Sequence, residues 1–79
     1  MTVTIDAGTI VLSGDCSVED AEALLAQLLD LPDAEVDWRA CDSLHTAVLQ
    51  VLIAAGVAPH GPPRGAFLSG MVEPLLKAR

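Results

Sequence analysis

An α/β domain is the fold class this sequence predicts: a four-stranded mixed sheet with an N-terminal hairpin, covered by helices, in the order ββαβαβα. Three observations predict it. Two β-branched runs open the chain on either side of Asp6-Ala7-Gly8, helix-length apolar stripes then alternate with short strand-like runs, and the total of 79 residues at 52% hydrophobic content suits one core. Strands joined through helices imply some parallel pairing. Residues 1–79 are therefore expected to form a single domain, with a stability of roughly 4 to 12 kcal/mol at the usual value per residue.

The hairpin is predicted over Val3 to Ile5 and Thr9 to Ser13, with Gly8 supplying the positive φ of a tight turn. Helix one starts after Ser17, a suitable N-cap, with Asp20 three residues on as in a capping box and Glu19 and Asp20 at the positive end of the helix dipole. Ala21, Leu24, Leu25, Leu28 and Leu31 recur at three- and four-residue steps, and Pro32 stops the helix. Glu35 to Trp38 alternates polar and apolar, which predicts a third strand with Val36 and Trp38 facing the core. His45 to Ala55 reads as a second helix closed by Gly56, apolar almost all round, with Thr46 and Gln50 as its polar positions four apart on one face. Pro59 to Gly65 holds three prolines and two glycines and is predicted as a surface loop. Ala66 to Ser69 is expected as a fourth strand and Glu73 to Ala78 as a last helix with Pro74 in its first turn.

Charge excludes some partners. Eleven acids against four bases give −7, which repels nucleic-acid phosphates and anionic lipid surfaces. The charge is lopsided: residues 1 to 42 carry ten acids and one base, −9, and residues 43 to 79 three bases and one acid, +2. The chain lacks an apolar run long enough to span a bilayer and its start lacks a basic signal-peptide region, so a cytoplasmic location without membrane insertion is expected. Cys16 and Cys41 are then expected as reduced, half-buried small apolar residues.

Few groups could carry chemistry. Cys16, Cys41, His45 and His60 lack zinc-site spacing, no phosphate-cradling glycine motif is present, and no cofactor is implied. Cys41, Asp42 and His45 are near enough in sequence to be drawn as a thiol nucleophile with a base. Hydroxyls at the mouth of helix two are more informative, because free backbone N–H groups and the helix dipole there accommodate an added anion. Thr46 is the first candidate and Ser43 the second, and capping the helix is the purely structural role either could fill.

The segment VDWRACDSLHTAVLQVLIAAG, residues 36–56, resembles the central motif of STAS domains, the family of bacterial anti-sigma-factor antagonists. It looks most like proteobacterial members in which Asp-Thr-Ala-x-Leu-Gln opens this helix. Thr46, Ala47, Leu49 and Gln50 match that pattern, Asp37 matches the acid ending the preceding strand, Gly56 matches the helix-ending glycine, and His45 stands in place of the expected acid. The resemblance implies a STAS-like fold and a non-enzymatic signal-transduction module. Its partner would dock on Asp42, Ser43, His45, Thr46 and Gln50, with Thr46, or secondarily Ser43, as the phosphorylated position. The partner so implied is a kinase-like anti-sigma factor, a histidine kinase, a response regulator or a chemotaxis protein. A second implied role is a small cytoplasmic subunit docked on the ATPase of a lipid-handling ABC transporter. A small thiol enzyme using Cys41 and His45 is the third reading.

Overall fold

The computed structural model describes residues 2–77 and shows a small α/β fold built on a three-stranded mixed sheet. Strand β1 (Val3–Asp6) and strand β2 (Thr9–Cys16) form the expected hairpin, antiparallel with Asp6 opposite Thr9. Ala7 and Gly8 both take positive φ, 50° and 82°, as a two-residue turn matched to right-handed strand twist requires. Helix α1 (Val18–Asp30) follows, and strand β3 (Val36–Leu44) returns parallel to β2, giving the order β1-β2-β3. Helix α2 (Thr46–Ala54) packs against α1 and β3.

Local chemistry fixes the helix ends. The Ser17 backbone N–H donates to the Asp20 carboxylate at 2.6 Å, so the predicted capping box forms at the start of α1. Gly56 sits at φ 69° beyond α2; its N–H reaches the Ile53 carbonyl and that of Val57 the Leu52 carbonyl, the paired bonds of a left-handed C-terminal cap.

Strand β3 runs past its predicted end at Trp38, and its register explains why that end looked real. Val11 pairs with Asp37 but Ser13 with Ala40, and Gly14 pairs with Cys41 but Asp15 with Ser43. One extra residue lies in β3 at each step, the second of them Asp42. The buried positions accordingly run Val36, Trp38, Cys41, breaking strict alternation.

The fourth strand expected at Ala66 to Ser69 is a correction: these residues are helical. A π-helical segment (Leu68–Val72) runs directly into α3 (Glu73–Lys77), and Ala78, the expected end of the last helix, lies outside the described residues. Leu68, Val72 and Leu76 are buried at four-residue steps, and this helical period outweighs a strand propensity spread over four residues. The N–H of Glu73 reaches back five residues to the Leu68 carbonyl, widening the ladder just before Pro74, which cannot donate a hydrogen bond to it. The outer edge of β3 meets the proline loop instead: His60 N–H donates to the Val36 carbonyl at 2.8 Å and Trp38 N–H to the His60 carbonyl at 3.2 Å.

The core lies between sheet and helices, with Trp38, Ile10, Leu12, Leu24, Val48 and Leu52 wholly buried. Burying side chains of this size at about 1.5 to 3 kcal/mol each is what offsets the chain entropy of so short a domain. A side chain at Gly61 would run into Trp38 Nε1 and Glu73 Oε2, so this point of the loop suits glycine.

Candidate functional site

The C-terminal end of β3 delivers the chain into α2, and the extra residue in the strand aims Asp42 sideways. There Arg64 of the proline loop forks onto it, Nε to Oδ1 and Nη2 to Oδ2, each at 2.7 Å. The Arg64 guanidinium holds the Asp42 carboxyl below its ordinary range. Next to the pair, Gly65 N–H donates to the Cys41 carbonyl at 3.0 Å, and this tie leads the chain into the C-terminal helical segment. Phe67 and Leu68 therefore face the start of α2.

His45 performs the capping role. Its Nδ1 accepts from Ala47 N–H at 3.0 Å, its carbonyl takes the first helical bond from Val48, and its own N–H donates to the Cys16 carbonyl, joining α2 to the end of β2. Ser43 Oγ donates to the Asp15 carboxylate at 2.8 Å, across to β2. The capping expected of Ser43 or Thr46 thus falls to His45, and Thr46 stands exposed as the first residue of α2.

A cavity of about 330 Å³ opens beside Thr46. Asp42, Ser43 and Thr46 form its polar rim, and Leu44, Leu49, Phe67, Leu68 and Val72 its apolar lining. Phe67 is 70% exposed and Met71, one turn further along, 60%. Three of the five residues expected to meet a partner, Asp42, Ser43 and Thr46, are thus brought together. His45 is exposed as well but serves as the cap and does not line the cavity. Gln50 is exposed but lines a different depression, between α1 and α2, so its spacing from Thr46 does not place both on one cavity. Phe67, Met71 and Arg64 were missed by the sequence reading. The helical spacing of Leu68, Val72 and Leu76 was the available signal, because it turns Phe67 and Met71 outward.

Cys16 and Cys41 are free thiols, both buried, with sulfurs 4.0 Å apart. The Cys16 sulfur and burial together hold the Cys41 thiol far above its usual range. Its hydrogen bond runs to the Ser43 carbonyl at 3.3 Å rather than to His45, whose Nδ1 is engaged with the backbone of α2. A nucleophilic thiol needs the opposite arrangement, an accessible sulfur held as thiolate beside its base. Among the described residues, no three His, Cys, Asp or Glu side chains are placed to hold a metal ion, and no helix is long and apolar enough to cross a membrane.

In comparisons with known proteins, no family model, no curated protein and no solved structure matches this chain.

Proposed function

We propose that this chain is a STAS-type regulatory module, without catalytic activity of its own, which docks on a signalling protein through the cavity rim at the start of α2. The observation that carries the reading is the exposure of Thr46 on that rim. The structural duty that would explain a hydroxyl there belongs to His45, and Ser43 is held by Asp15. Thr46 is left facing outward beside an apolar cavity and the exposed Phe67, the mix of anchor and polar rim that protein interfaces use. The resemblance of residues 36–56 to the STAS motif and the mixed sheet with its helices lend support from a separate direction.

Phosphorylation of Thr46 is the switch this reading assigns. The added charge would gain roughly 0.3 to 1 kcal/mol from its own helix end, too little to refold the domain. Its desolvation in a fitted interface would cost several kcal/mol, and about 2.7 kcal/mol corresponds to a hundredfold loss of affinity. The switch therefore works through the partner. Docking on a transporter ATPase is the second reading, favoured by His45: the residue before Thr46 is a helix cap rather than an acid, which suits constitutive binding.

The test is affinity for the partner that co-purifies with the chain. Thr46→Asp is expected to weaken binding at least tenfold and Thr46→Ala less, and equal effects remove the charge argument. A kinase-like, histidine-kinase, response-regulator or chemotaxis partner supports the first reading, and a transporter ATPase the second.

A further inference from the structure

A second face of the molecule, distinct from the Thr46 cavity, carries its own message. Between α1 and α2 runs an open groove of about 570 Å³, walled by Leu25, Leu28 and Leu29 on one side and Val51 and Ala54 on the other. Leu29 is 73% exposed and Leu25 47%, so folding gains little from either. An amphipathic helix packed only on its own sheet would carry polar residues at these positions. The opposite wall is low because Ala54 at the end of α2 and Ala55 just after it stand there, and small residues let another backbone approach closely.

Charge selects the occupant. Helix α1 carries Glu19, Asp20, Glu22 and Asp30 and no lysine or arginine, and α2 carries no charge at all. Glu22 lies one turn before Leu25 and two before Leu29 on the same side of α1. A second copy of this chain would set acid against acid across the groove, and an anionic lipid surface would be repelled in the same way. The walls from Leu25 to Leu29 and from Val51 to Ala54 run for about 5 to 6 Å along the helix axes, roughly one turn, which fits a pair of apolar anchors at i and i+3 or i+4.

We propose that the α1–α2 groove binds a cationic amphipathic helix of a partner protein, its apolar stripe seated on Leu25 and Leu29 and its lysines or arginines facing the acids of α1. This site is independent of the Thr46 surface.

The test uses the full chain, labelled with 15N, titrated with a synthetic peptide of about 14 leucines and lysines patterned as an amphipathic helix. A glutamate-for-lysine version is the charge control. Expected are saturable shifts at the amides of residues 25–31 and 50–57, binding at least tenfold weaker for the glutamate peptide, and a tenfold loss in a Leu25→Gln, Leu29→Gln double variant. Both leucines are exposed enough for that variant to fold, which its circular dichroism checks. Phe67→Ser with Met71→Ser, which removes the other apolar patch, and Thr46→Asp should leave peptide binding unchanged. Equal binding of the glutamate peptide overturns the proposal, as do shifts centred on Phe67 and Met71. A dimer of the free chain that Leu29→Gln dissociates would assign the groove to a second copy, and stronger binding to anionic vesicles than to the peptide would assign it to lipid; either overturns the proposal.

Discussion

Replacing Gly65 by alanine tests how the proline loop shapes the Thr46 cavity. A Cβ at this position would meet the backbone of Asp42, standing 2.7 Å from its carbonyl carbon and 3.2 Å from its Cα, and nearer still to its carbonyl oxygen. Backbone cannot move aside as a flexible side chain would, so residues 64–66 must retreat by more than about 1 Å to bring the carbonyl oxygen, the nearest of these atoms, out to ordinary contact. That retreat breaks the 3.0 Å bond from Gly65 N–H to the Cys41 carbonyl. Cys41 is wholly buried, so water does not readily replace the lost donor. A buried acceptor left without its donor costs about 1 to 3 kcal/mol. The smaller entropy of unfolded alanine returns about 0.4 to 1 kcal/mol, leaving a net destabilisation of about 0.5 to 2.5 kcal/mol. Urea unfolding at neutral pH reads this as a midpoint lowered by about 1 M at a typical slope for so small a domain. Gly70→Ala is the matched control: its Cβ meets nothing within 4 Å, and a gain of about 0.5 kcal/mol is expected. A Gly65→Ala midpoint equal to that of the parent would refute the close approach, and with it the account of how Arg64 and Phe67 are held at the cavity.

Two further outcomes follow from the same geometry. His45→Ala removes the acceptor for Ala47 N–H and should cost about 1 kcal/mol in urea unfolding, most of it restored by His45→Asn, a side chain that caps well. Asp37 is held down at about 2, first by the hydrogen bond from the Arg39 side chain and then by that from the Arg39 backbone. A carboxylate depressed in the fold stabilises it above the unfolded value near 4 and loses that contribution as pH falls towards 2. Asp37→Asn should therefore be less stable than the parent at pH 6 and converge with it near pH 2, and a difference that stays constant over that range would contradict the assignment.

What could be read from the sequence, and what could not, divides along physical lines. The hairpin, both long helices and their ends were legible because single residues act locally: Gly8 in the turn, Ser17 with Asp20 at one cap, Gly56 at the other. The full length of β3 was hidden because its two extra residues break the period of two that a strand is recognised by. The misread strand at Ala66 to Ser69 is the opposite case, a short apolar run whose period is visible only when Val72 and Leu76 are counted with Leu68. At the candidate site Thr46 and Ser43 were legible as hydroxyls near a helix start. Which residue caps that helix was not, because His45, Ser43 and Thr46 all offer acceptors and the strand register decides among them. Arg64 reaches Asp42 across 22 positions of sequence, a pairing no local pattern encodes.

The central claim is that another protein sits on the rim around Thr46. Photo-crosslinking from position 46 in the living cell measures this most directly, with the crosslinkable residue at exposed Thr4 of β1 as the reference position. The account predicts one dominant adduct from position 46, absent from position 4 and strongly reduced when Phe67→Ser is added. Equal adducts from both positions, or none from position 46 while the chain still co-purifies with a partner, would contradict it.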